Sequence, residues 1–181
     1  MAFKEYTRDI HKVAESTAFS QKLVNGTLSE KEYANYLYNF SFIYDQIEKV
    51  AKKIGMFDEL PGLERHDKIV CDIMDTGYTD FKVCDSALVY ANYLGWLGSR
   101  EQQQPLIKAH VYCRHMGDLF GGQIIKKRIP CTKGTFYEFE NPAELRIKIR
   151  EVLERESSAL LLAEALVAFR FNIMIMEELD E

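Results

Sequence analysis

The residues best suited to chemistry lie in one stretch, Tyr112-Cys113-Arg114-His115-Met116-Gly117-Asp118-Leu119-Phe120-Gly121-Gly122-Gln123. An interior glycine costs a helix about 1 kcal/mol relative to alanine, so Gly117, Gly121 and Gly122 together cost roughly 3 kcal/mol at one place. On these residues alone two readings stay open. One is a loop between two helices. The other is a bent helix whose backbone lies flat against something large, because helical periodicity continues through Leu119 and resumes at Ile124-Ile125. Gly117 and Gly121 are spaced i, i+4 and share a face without side chains, which a planar ligand can approach closely. Asp118 stands beside that face, with Arg114 one turn earlier. A carboxylate there can organise water by hydrogen bonds without touching the ligand; the alternative is a surface aspartate capping the next turn.

The other reactive types are scattered. His11, His66, His110 and His115 are the histidines. A single histidine on a helix is more often structural or solvated than a ligand. His110 and His115 are five apart, about 140° around a helix, and cannot easily share a metal. His11 has Glu15 at i+4, one turn away, where a carboxylate can hold an imidazole. Arg146 and Arg150 are also i, i+4, and a solvated basic stripe accounts for them equally well. Cys71, Cys84, Cys113 and Cys131 form no C-x-x-C pair and no zinc-knuckle spacing.

Helices must position all of these. The 181 residues include ten glycines and four prolines, which punctuate long helical patterns, and almost no stretch alternates apolar with polar. A first helix is expected from about Phe3 to Thr17, continuing to Asn25, with Gly26 as its stop. Ser29 and Glu32 form a capping box before a helix carrying Tyr33, Tyr36, Leu37, Phe40, Ile43, Tyr44, Ile47 and Val50 on one face, ended by Gly55. Pro61-Gly62 opens a helix that Gly77 closes, and another spans Ser86 to Leu97. Gln102 to Arg128 contains the glycine cluster, and Thr132 to Glu140 is irregular or briefly extended. Asn141-Pro142-Ala143-Glu144 supplies an N-cap, a first-turn proline and a first-turn carboxylate for a helix running toward Glu178. The expectation is a single all-α domain over residues 1–181, a multi-helix bundle with a kinked helix over the site.

Charge narrows the function. Lys+Arg 23 against Asp+Glu 28 gives a net charge of −5, which disfavours a general nucleic-acid binder. Met1 to Glu5 lacks the apolar stretch of a signal peptide. The longest late apolar run, Ala159 to Phe171, is broken by Glu164 and Arg170, short of the roughly 20 residues of a membrane span. A soluble, cytoplasmic protein without nucleic-acid or membrane partners is expected.

Taken together, the stretch from Tyr112 to Gln123 closely resembles the signature of the heme oxygenases. The resemblance extends to Lys4-Glu5, Thr7 to His11 and Ala14-Glu15, to Gly26 through Tyr44, to Phe136-Tyr137-Glu138-Phe139, and to Ala168-Phe169, Asn172-Ile173 and Glu177-Glu178-Leu179. It implies heme as both substrate and cofactor, with His11 as the proximal iron ligand oriented by Glu15. It implies Gly117 and Gly121 pressed over the opposite face, and Asp118 holding a water network that Arg114 and Tyr44 share. Lys4, Arg146 and Arg150 match the family's propionate partners, and Tyr112 reaches a propionate. The implied reaction uses dioxygen and external electrons to give biliverdin, by family default the IXα isomer, with carbon monoxide and ferrous iron. A reduced ferredoxin is the favoured donor, docking on Lys12, Lys126, Lys127 and Arg128, and a bilin reductase is a possible next user.

There are departures. Phe120 stands where the family usually has a small hydroxyl residue, and either tightens the distal side or faces away. His115 replaces an aromatic or similar residue and is read as packing. Lys52 to Phe81 matches loosely, and the chain stops at Glu181 without the tail of animal relatives, which points to the soluble bacterial, algal or phage-like branch. Three other readings remain: a non-catalytic heme carrier of the same fold, a di-iron bundle for which no Glu-x-x-His pair is found, and a thiamine-degrading enzyme using Cys113.

Overall fold

The computed structural model describes residues 2–129 and 132–181, with the side chain of Ala2 left out; Cys131 lies outside the described residues. These residues form helices and no strand, as the periodicity predicts. The N-terminal run is three helices rather than one: α1 (Ala2–Tyr6), α2 (Arg8–Ser16) and α3 (Ala18–Asn25). Threonines mark both breaks. Thr7 Oγ1 donates to Phe3 O (2.7 Å), and Thr17 adopts φ −59°, ψ 145°, its hydroxyl accepting from Ser20 N to start α3. The apolar pattern runs straight through both positions, which is why the interruptions are invisible to it.

The capping box forms as expected, and α4 (Glu30–Lys53) follows it. After the short α5 (Met56–Glu59), α6 (His66–Thr76) starts four residues later than Pro61-Gly62 suggests. Gly62 sits at φ +81°, in the left-handed region, so it lies outside the helix, which takes Arg65 as its N-cap residue. Next come α7 (Asp85–Gly98), a 3-10 turn at Gln104–Leu106, α8 (Ile107–Phe120) and α9 (Gly122–Ile125). A second 3-10 turn, Thr135–Tyr137, is fastened by the fully buried Asp72, which accepts from Thr135 N (2.9 Å) and Phe136 N (3.0 Å). The expected last helix is two: α10 (Pro142–Arg155) and α11 (Ala159–Leu179). Asn141 occupies the N-cap position of α10 but its side chain makes no capping bond, whereas Ser158 caps α11 by accepting from Leu161 N (3.1 Å).

α4 is the central element, packed on α6, α7 and α8; α11 crosses α8, α2 and α7. Among the described residues α11 is the one helix long and apolar enough to span a membrane, with mean hydropathy 1.9, contrary to the expectation that no segment qualifies. Its buried Glu164 gives it a different use here. Glu164 accepts from His110 Nε2 on α8 (2.9 Å) and from Tyr93 O–H on α7 (2.7 Å), while His110 Nδ1 accepts from Tyr90 O–H (2.7 Å). Burial pushes the His110 pKa down, leaving a neutral ring that can donate with one nitrogen and accept with the other. The charge that interrupts the apolar run therefore ties three helices together.

Candidate functional site

The glycine cluster breaks the helix at Gly121, between α8 and α9, with Gly121 N–H donating to Gly117 O (2.7 Å). The glycines have different reasons to be there. A Cβ built on Gly117 meets nothing within 4 Å, and one on Gly121 meets only Gly117 O at 3.2 Å. A Cβ on Gly122 lies 2.3 Å from Tyr137 Cδ1, so Gly122 admits the Tyr137 ring. Gly117 and Gly121 instead face a cavity of about 700 Å³, within the roughly 300–1,000 Å³ of small-molecule sites.

Across this cavity stand Lys4, His11 and Glu15 from α1 and α2. His11 is half-exposed; its Nδ1 lies 3.4 Å from Glu15 Oε2, and its ring meets the edge of Phe169 at 5.4 Å. With Nδ1 turned to Glu15, Nε2 remains as the atom able to ligate a metal. Tyr112, Arg114, Asp118, Phe120 and Arg150 also line the cavity. Tyr112 packs its ring 5.1 Å from Phe3. Arg146 does not line it; its guanidinium lies 4.6 Å from the centre of the Phe120 ring, with that of Arg150 at 5.7 Å. Phe120 therefore does not face away: it lines the cavity with its ring beside both guanidinium groups.

Tyr44 lies behind the lining, fully buried, and donates its O–H to Asp118 Oδ2. Asp118 Oδ1 is 3.9 Å from Arg114 Nη2. Arg114 Nη1 donates to Asn172 Oδ1 (2.6 Å), Nη2 to Tyr36 Oη (3.4 Å), and the guanidinium covers the Phe40 ring at 4.2 Å. Tyr137 O–H extends this chain to Tyr36 (3.4 Å). Asn172, Tyr36 and Tyr137 are members that residue spacing did not single out. Tyr36 shares the α4 face with Tyr44, but nothing in the sequence links Asn172 to Arg114. Burial pushes the Asp118 carboxyl up to about 6, against the opposing pull of Arg114 and Tyr44. Burial also holds the Tyr44 phenol well above its ordinary range, so it keeps its proton.

The remaining candidates are structural. His115 is fully buried, donates Nδ1–H to Val111 O (3.2 Å), packs edge-on to Tyr44, and is pushed down to about 3 by burial, in keeping with packing. Its Nε2 and Arg114 Nε are buried without a partner. His66 is partly buried at the start of α6. Cys113 lines the cavity, but its thiol donates to Ala165 O (3.5 Å) and burial pushes its pKa far up, the reverse of a nucleophile's need. Of the four cations expected at a docking rim, Lys12 lines the cavity, Lys126 is paired with Glu138, and Arg128 donates to Val24 O (2.7 Å).

A bent helix with a bare face, a histidine opposite and a buried carboxylate network beside it define the class. The heme oxygenase family model matches residues 1–178, and the chain belongs to that family. The heme oxygenase of Guillardia theta is 27% identical, aligning 98% of this chain with 84% of that protein, and that of Porphyra purpurea is 28% identical over the same shares. The heme oxygenase structure from Leptospira interrogans is 25% identical, covers 97% of both chains and superposes with a TM-score of 0.84. The heme complex of heme oxygenase-1 from Synechocystis, 22% identical over 99% of this chain and 90% of that one, shares the fold at TM-score 0.84. Family membership makes this chain a heme-binding oxidoreductase of heme degradation.

The residues present fit that group. The cavity is lined by the His11 imidazole and by the bare backbone of Gly117, where a Cβ would meet nothing, and of Gly121, while Lys4 and Arg150 in the same lining suit two carboxylates.

Proposed function

We propose that residues 1–181 act as one cytoplasmic enzyme that cleaves heme to biliverdin IXα, carbon monoxide and ferrous iron, with dioxygen and electrons from an external donor of the reduced-ferredoxin type. The observation that carries this reading is the cavity held between the His11 imidazole and the bare backbone of Gly117 and Gly121, with Asp118 at its side. Bound heme would supply the iron that activates dioxygen and the porphyrin edge that is oxidised. His11 is the proposed ligand through Nε2, with Glu15 fixing the ring through Nδ1. Lys4 and Arg150, supported by Arg146 and Tyr112, hold the propionates and so choose the edge presented to the glycines. Gly117 and Gly121 present bare backbone to the cavity, so a flat ligand can approach it closely.

Asp118 handles the proton. Near neutral pH a carboxyl poised at about 6 can pass through both states, and Oδ1 is free of the Tyr44 bond. Tyr44 stays protonated and holds Oδ2; Arg114, pinned by Asn172, keeps a positive charge beside Oδ1. The arrangement orients water near Asp118 without putting a side chain on the reacting centre. Lys12 and the basic rim suit an acidic donor protein, and the bilin would pass to a reductase.

The test mixes the protein with hemin, ferredoxin, ferredoxin reductase and NADPH and follows the absorption spectrum. The Soret band should decay while a bilin band rises. His11→Ala should lose at least tenfold in turnover, with imidazole restoring part of it. A stable Soret band under reductant and oxygen would make the chain a heme carrier.

A further inference from the structure

We propose that Phe120 is a positioning residue whose ring sets the guanidinium groups of Arg146 and Arg150 at the mouth of the cavity, and through them the in-plane orientation of an anionic planar ligand. The proposal rests on the heme reading above. Phe120 ends α8 beside the bend, lines the cavity, and is 47% exposed. A large ring left half in water at a site mouth calls for a partner, and two come from another helix. Arg146 and Arg150, one turn apart on α10, both converge on it, at 4.6 and 5.7 Å from its centre.

The neighbouring cations of α10 behave differently. Lys148 pairs with Glu144 (2.7 Å), and Arg155 pairs with Glu59. Among the described residues neither Arg146 nor Arg150 forms an ion pair. Two guanidinium groups held on one ring repel each other, and among the described residues no carboxylate forms an ion pair with either, so the pair suits an anion from outside. Holding both rotamers beforehand lowers the ordering cost of binding that anion. Arg150 reaches the cavity directly; Arg146, which does not line it, is drawn toward the mouth by the ring.

The experiment titrates the full-length apoprotein with hemin and with hemin dimethyl ester, whose carboxylates are capped, in wild type, Phe120→Leu and Phe120→Trp. Phe120→Leu should weaken hemin about 3- to 10-fold and leave the ester unchanged; Phe120→Trp should behave as wild type. NMR of the ferric cyanide complex should show one set of heme methyl resonances in wild type and Phe120→Trp, and more than one in Phe120→Leu. In the heme-free protein, Phe120→Leu should remove the ring-current shift of the Arg146 and Arg150 side-chain protons. Equal loss for hemin and its ester, or a Phe120→Leu protein indistinguishable from wild type, overturns the proposal while leaving the heme reading intact. A wild type indifferent to hemin overturns both.

Discussion

At the scale of single residues, Asp118 combines a hydrogen bond that favours its charged form with a burial that opposes it. Burial wins: the carboxyl sits at about 6, above the ordinary value of about 3.9, despite Arg114 at 3.9 Å and the Tyr44 O–H. Ionising Asp118 is harder in the folded protein than in the unfolded chain. Its contribution to stability is therefore complete below the unfolded value and is lost as pH rises through 6. Glu178 runs the other way: its pKa is lowered by Ser86 and Asp85, so its share is lost as pH falls. Asp118→Asn cannot titrate and isolates the effect. In urea unfolding of the apoprotein, the stability of wild type minus that of Asp118→Asn should rise by about 2 kcal/mol from pH 7.5 to pH 4.5. A difference flat with pH would make Asp118 an ordinary carboxylate and remove its claim on the proton.

At the scale of elements, the bend between α8 and α9 was legible because glycine cost and unbroken flanking periodicity fall in the same window. The same holds for the Ser29–Glu32 box, whose partners are three residues apart. What spacing cannot carry is contact between distant elements: Asn172 against Arg114, Phe120 beneath two arginines of α10, and Glu164 as the acceptor that joins α7, α8 and α11. Nor does it separate glycines that look alike. Gly117→Ala adds a methyl into open space and gains up to about 1 kcal/mol of helix propensity, so the apoprotein should be at least as stable, while hemin affinity falls at least tenfold. Gly122→Ala drives a Cβ to 2.3 Å from the buried Tyr137 ring and should cost about 1–3 kcal/mol of stability. Chemical unfolding and a Soret titration of both variants check the pair. Equal stability losses would mean that the two glycines share one structural role.

At the scale of the whole molecule, the two walls of the cavity are unequally held. α8 sits between α4, α10 and α11, while α2 buries Ala14 alone among its side chains and leans on α11 and α3. Elements with so little burial open at low free-energy cost, and α2 amides should exchange early in the heme-free protein. A ligand gripped by His11 must leave before α2 can open, so the opening becomes harder by RT ln(1 + [L]/Kd), about 2.7 kcal/mol at a hundredfold excess over Kd. Hydrogen exchange followed by mass spectrometry should therefore slow about 100-fold across α2 when hemin is added. Residues 78–83, which line no part of the cavity, should exchange through local motion and stay unchanged. His11→Ala should erase the slowing in α2 without altering the heme-free pattern, since His11 is half-exposed and contributes little to the core. Hemin that protected the whole chain evenly, or left α2 as fast as before, would show that the ligand does not bridge α2 to the bent helix.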